Sequence, residues 1–290
     1  MPNKNLFQNK LGSGLEKRLR TFDRNLLASS GFLERRVLET EPQCWFCSTT
    51  TNPPSKEHVF PRWLLKALGL ESQIIEPFRM LADMVTIGSK RPPHPLSSLT
   101  VGNVCQSCNN GWMSRLEASA PSILISNQRG RMTIEQAEIF SRWMTKTAVS
   151  INVSMPFRLL FDHASRHALS TGMPASTYVF VYRARKASHE INWKQITTCL
   201  WLVEKEFTEI VNGAAALTYV GHINLGKIAA LVVRIPEALN GFQAEVISEA
   251  SLVWPPTDLP TWGGIPRFNH FTEPSVTIRL TSLFQRPSNT

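Results

Sequence analysis

Two C-x2-C pairs, Cys44–Cys47 and Cys105–Cys108, constrain this chain more than any other feature, and they take four of its five cysteines. Such a turn sets two thiolates on one side of a tight knuckle. Two facing knuckles make a closed tetrahedral shell suited to a structural zinc ion. The alternative is four unrelated buried thiols; the matched spacing argues for a shared ion. The interval between the pairs exceeds a zinc-ribbon loop, so the intervening segment must fold and not merely connect.

A second pattern lies within and beside the knuckles. Glu57-His58 follows the first pair and Asn109-Asn110 follows the second. Carboxylate and amide oxygens suit a hard cation such as magnesium, and an imidazole exchanges a proton near neutral pH. If zinc clamps the knuckles together, these residues are drawn into one site holding a metal, a base and an amide. Such a set can hydrolyse a phosphodiester: the metal stabilises charge on the phosphate while the base activates water. The structural alternative for the Asn pair is helix capping, since Asn is a favoured N-cap. One can cap while the other binds metal.

The order Cys-x2-Cys, acid-His-x-x-Pro, Cys-x2-Cys-Asn resembles the HNH (ββα-metal) endonucleases in their zinc-bound form. The run Cys108-Asn-Asn-Gly-Trp-Met-Ser-Arg-Leu-Glu117 is similar to bacterial proteins described as HNH nucleases. The resemblance covers residues 44–117. It implies that His58 is the general base, Glu57 the first metal ligand and Asn109 the second, with Mg2+ or Mn2+ as catalytic ion and Zn2+ as structural ion. The family's middle Asn orients the base. Its place falls at Thr100 here, with Asn103 the nearest asparagine, and either can serve. The interval from His58 to Asn109 is longer than is common in the family. Family membership would favour DNA over RNA as substrate and a setting in bacterial antiviral defence.

The expected architecture is α+β. A basic helical arm (1–38) precedes a zinc-stapled ββα-metal module (39–125). A larger α+β domain with an antiparallel sheet (126–290) then recognises substrate, self-associates as a homodimer or binds a partner protein. A chain of 290 residues can bury a full core and accommodates two domains. Its net charge of +9 and pI near 9.6 point to a polyanionic partner, nucleic acid above all, although a merely basic surface gives the same count. No apolar run is long enough to span a bilayer, and the first residues lack a signal-peptide core. Cysteine pairs without an export signal favour metal over disulfides, hence a cytoplasmic protein without membrane contact.

Ser13-Gly-Leu-Glu16 reads as a capping box opening a helix to about Ser29, with Leu15, Leu19, Phe22 and Leu26 on one stripe and Lys17, Arg18, Arg20 and Arg24 off it. A shorter helical piece covers Phe32–Leu38. Lys56–Phe60 reads as a strand, and Pro61 and Gly69 bracket a helix over Arg62–Leu68. Arg62 is placed to meet phosphate or to stay on the surface. His94, between prolines, is read as exposed rather than as a ligand. Leu99–Val104 is the second hairpin strand, followed by a helix from Asn109 or Asn110 through Glu117. Thr133-Ile-Glu-Gln136 opens a core helix to about Ser150, and a further helix is expected over Pro156–Leu169. His163 and His167 share a face of it without an obvious third ligand. Short β-rich runs follow at 177–183, 197–203, 215–223, 228–235, 245–247 and 276–280. Arg183, Arg185 and Lys186 cluster at a strand end, Cys199 reads as a buried thiol, and 254–274 reads as a long loop.

Overall fold

The computed structural model describes residues 43–50, 55–75, 78–80, 86–88, 92–125, 129–154, 160–184, 190–197, 219–235, 242–246, 250–268 and 278–282. The expected helices at 13–29 and 32–38, together with Arg185, Lys186 and Cys199, lie outside them. Within them the chain mixes helices with antiparallel sheets, an α+β arrangement.

The first described unit is a hairpin whose two strands are far apart in sequence. Strand β1 (Ser55–His58) pairs antiparallel with β6 (Thr100–Val104), with a bulge between Ser55 and Glu57. Helix α1 (Arg62–Leu68) follows β1. Pro61, with its fixed φ and no N–H, starts it, and Gly69 (φ 69°) stops it in the left-handed region that L side chains resist. The segment between α1 and β6 holds two small ladders: β2 (Ile74–Ile75) with β5 (His94–Pro95), and β3 (Phe78–Met80) with β4 (Thr86–Gly88). The segment between the knuckles therefore carries its own structure, as its length requires.

After β6 the chain turns helical at Gln106, not at Asn109. The N–H of Asn109 donates to the carbonyl of Cys105 (3.0 Å), so neither asparagine caps the helix. A wide turn over Cys108–Met113 kinks at Gly111 and continues into α2 (Ser114–Ser119) and the short α3 (Pro121–Leu124).

Helix α4 (Ile134–Ser154) is the spine of the molecule. Its start is a reciprocal capping box: the N–H of Thr133 donates to Gln136 Oε1 and the N–H of Gln136 to Thr133 Oγ1, each at 3.1 Å. From Phe140 onward nearly every side chain is buried, because α4 packs against α2 and β6 on one side and the large sheet on the other. Helix α5 (His163–Ala168) is shorter than expected. Asp162 accepts from the N–H of Ser165 (2.7 Å) and so sets its start; Leu160 and Phe161 lie outside it.

The sheet runs β12 (Ser251–Trp254), β7 (Thr177–Ala184), β10 (Ile228–Arg234), β9 (Tyr219–Leu225), β8 (Ile191–Thr197). All these neighbours are antiparallel; β13 (Arg267–Phe268) adds a parallel pair to β7. Gly226 (φ 81°) supplies the positive φ for the two-residue β9–β10 turn. A separate ladder pairs β11 (Phe242–Val246) with β14 (Ile278–Ser282). Strands β12 and β13 fall at the start of, or inside, the stretch expected to be a loop. Their runs are too short and too proline-flanked to signal strand by alternation.

One buried cluster runs from Cys44, Trp45 and Phe46 through Trp143 and Met144 to Val181, Tyr219 and Val232. It crosses position 125 without a break. Phe60 meets Trp193 at 5.4 Å between ring centroids, and Trp63 meets Trp143 at 6.1 Å. The Gln73 side chain binds the backbone of Ile191 twice, donating to its carbonyl (2.8 Å) and accepting from its N–H (3.0 Å). Among the described residues no helix is long and apolar enough to cross a membrane.

Candidate functional site

The knuckles meet as the spacing predicts. The sulfurs of Cys44, Cys47, Cys105 and Cys108 all lie within 4.8 Å of one another, the one group of this kind among the described residues. Tetrahedral Zn–S bonds of about 2.3 Å put sulfurs roughly 3.8 Å apart, and Cys47 Sγ lies 3.5 Å from Cys105 Sγ. The four can hold a metal ion such as zinc.

The surrounding backbone is arranged for thiolates. The N–H of Cys105 points at Cys44 Sγ (3.4 Å) and that of Cys108 at Cys105 Sγ (3.3 Å). The hydrogen bond to Cys108 holds the Cys44 thiol down at about 4, against the opposing effect of burial. The same bond, then burial, drives Cys108 upward. Burial pushes the Cys47 thiol up as well, so binding a metal ion at these thiols releases protons.

The first knuckle is fixed by its own backbone and by two distant groups. The N–H of Cys44 donates to the carbonyl of Thr49 (2.8 Å) and that of Ser48 to Cys44 (2.9 Å). The N–H of Trp45 donates to the carbonyl of Asn103 (3.0 Å), while the Trp45 carbonyl accepts from Arg166 Nε (2.6 Å). Arg166, on α5, is wholly buried and also donates to the carbonyl of Phe161. Phe46 packs edge-on against Trp112 at 5.6 Å. The tryptophan and phenylalanine inside the knuckle are thus packing residues.

His58 and Glu57 are neighbours on β1, so the strand pleat sends them to opposite faces. Glu57 is buried and His58 is partly exposed. Burial, then the charge of Arg62 and that of Lys146, lower the proton affinity of His58, with Glu117 opposing. Its imidazole is therefore neutral near pH 7 and able to accept a proton. The β1–β6 register puts Thr100, not Asn103, across from His58. Asn103 acts through its backbone instead. It sits at φ 53°, a conformation Asn tolerates better than most residues, and offers its carbonyl to the knuckle.

Glu57 enters a cluster the sequence does not announce. Lys146, on α4, reaches it with an ammonium that donates to Glu57 Oε1 and to Glu117 Oε1, the latter at 2.8 Å. The Lys146 side chain is 0% exposed and that of Glu57 9%. Burial alone would depress Lys146, but the two carboxylates outweigh it and raise it, so it stays charged. Burial raises Glu57, Lys146 opposes, and Glu117 adds to the rise.

Asn109 is engaged elsewhere: its Nδ2 donates to Ser55 Oγ (3.1 Å), whose hydroxyl in turn donates to the carbonyl of Val104 (2.6 Å). Glu57 does not fit the divalent ion that the resemblance implies, because it already carries a buried ammonium. The bond from Asn109 uses its amide nitrogen and not Oδ1, the atom that would face a cation. Asn110 is exposed and takes no described contact at the site.

The other candidates lie apart. His94 Nδ1 sits 3.0 Å from the carbonyl of Pro92. His163 and His167 lie 5.9 Å apart and gather no third ligand among the described residues. Arg183 Nη1 donates to the carbonyl of Trp262 (3.4 Å), a structural contact. Arg62 and Lys66, one turn apart on the exposed side of α1, line a groove with Leu65, Glu71 and Ser97. Lys146 and Arg166 escape sequence reasoning because a charged side chain on a helix normally signals exposure. No family model, curated protein or solved structure matches this chain.

Proposed function

We propose that this protein is an HNH-type endonuclease that hydrolyses phosphodiester bonds of nucleic acid, DNA by preference, around a structural zinc ion held by Cys44, Cys47, Cys105 and Cys108. The observation that carries this reading is the situation of His58: on a strand whose partner leads into the second knuckle, partly exposed, its proton affinity lowered by burial and by the charge of Arg62. A neutral imidazole can take the proton of a water as its oxygen attacks phosphorus. Arg62, whose charge already acts on His58, and Lys66 line the adjoining groove and supply positive charge for phosphate groups. Zinc, when bound, contributes structure: four protein thiolates close its shell and leave no position for substrate.

One observation favours a second reading, a non-catalytic zinc-stabilised module that binds nucleic acid. The acidic neighbour of His58 is consumed by Lys146 and is not presented to solvent. Cleavage of supercoiled plasmid separates the two. Wild type and His58→Ala, both zinc-loaded, are compared with and without Mg2+ or Mn2+, alongside RNA substrates. Nicking by wild type that disappears in the variant supports the nuclease. Salt-sensitive binding without cleavage by either protein supports the binding module.

A further inference from the structure

We infer that Lys146 is the cation of this site: its ammonium, held between Glu57 and Glu117, excludes a divalent ion from Glu57. Position, confinement and charge all lead there. Glu57 lies at the place where the resemblance puts a metal ligand, and its carboxylate Oε1 meets a positive charge that belongs to the protein itself.

Confinement holds that charge in place. Lys146 is wholly buried on α4, and its helix neighbours Trp143, Met144, Thr147 and Ala148 are buried too. To admit a second cation, the ammonium would have to leave two carboxylates for an apolar interior with no other acid described beside it. That displacement is unfavourable for any charged group, since a buried ammonium without a counter-ion loses both its hydration and its partner.

Charge completes the exclusion. Two carboxylates and one ammonium leave a single negative charge over three groups. The more exposed acid, Glu117, has a 20% exposed side chain. Among the described residues no set of three His, Cys, Asp or Glu ligands gathers here to outbid the lysine. A divalent ion at Glu57 would therefore meet a fixed like charge at the point where the two carboxylates converge, the place its own oxygen ligands would have to occupy.

The assignment rests on the nuclease reading only for the identity of the ion excluded. Its test needs no catalytic readout. Full-length, zinc-loaded protein is titrated with Mn2+, with free Mn2+ followed by electron paramagnetic resonance. Wild type and Glu57→Gln are expected to give the same titration, without a saturable site at Glu57. Lys146→Met is expected to gain one saturable Mn2+ site, which the Lys146→Met/Glu57→Gln double variant loses.

A saturable site in wild type that Glu57→Gln abolishes overturns the assignment. So does a folded, zinc-retaining Lys146→Met that binds no additional Mn2+. Should Lys146→Met fail to fold, the comparison of wild type with Glu57→Gln decides alone. Loss of the nuclease reading, by absence of His58-dependent cleavage, leaves these titrations unaltered. A wild-type Mn2+ site would refute the tethered cation and leave the nuclease standing.

Discussion

Lys146 donates to Glu57 across 89 positions of sequence, joining the core of α4 to a strand beside the cysteine knuckles. The contact decides how far the two halves of the chain are independent. A strand residue of the knuckle unit has its counter-charge on a helix that also packs under the large sheet.

Removing that counter-charge should be costly. Lys146→Ala leaves two carboxylates facing each other in the interior, and loss of one partner of a buried pair costs roughly 3–5 kcal/mol. Urea unfolding followed by circular dichroism measures it, and a change within experimental error would mean that water reaches the cluster.

Zinc should bind more tightly as pH rises. Cys108 has its proton affinity raised by the bond to Cys44 and by burial, so its proton must leave before the fourth thiolate can ligate. Cys44, held near 4, is already ionised at neutral pH and adds no such dependence. Competition with a chelator across pH should show falling zinc retention on acidification, and Cys105→Ser should lose the ion and the cooperative melt together.

Cleavage should follow the neutral form of His58. Its proton affinity is lowered, so the base is present above a midpoint below the usual histidine value and lost as pH falls through it. Plasmid-nicking rates should rise with pH to a plateau. His58→Ala should lower that plateau by about 10²–10⁴-fold with zinc content unchanged. A flat profile in wild type would remove His58 from the chemistry.

Asp162 should contribute stability that acid removes. Burial alone would raise it, but the N–H and hydroxyl of Ser165 and the charge of Arg234 prevail and hold its carboxyl below the usual range. A depressed folded value stabilises above the unfolded value, and the gain disappears as pH falls through the folded one. Asp162→Ala should cost about 1–2 kcal/mol from the lost helix cap and flatten the acid limb of a stability–pH profile.

The knuckles and their neighbours were legible because their signals are local. A C-x2-C turn, a Pro–Gly bracket round α1 and a Thr-x-x-Gln box each set geometry within a few residues, and each is found where the pattern puts it. Alternating apolar residues likewise located β7 and β10. What the sequence could not supply is any pairing made across the fold. Nothing beside Glu57 signals that its partner is Lys146, and nothing in the run around Asn109 tells that its amide will face Ser55. The same limit applies to Arg166, which braces Trp45 from α5, a helix where only the two histidines stand out by spacing. β12 and β13 escape for a different reason: strands of two to four residues carry too little periodicity to separate from loop.

The double bond between Gln73 and Ile191 has a protective consequence. Among the described residues β8 is the last strand at one end of the large sheet, and an outward row of N–H and C=O groups is a template for another molecule's strand. A primary amide sets an N–H donor beside a carbonyl acceptor, as a peptide group does, and Gln73 turns one of each on a single residue of that strand. The side chain acts as a false next strand one residue long, withholding this position from fibril-like stacking while adding no edge of its own.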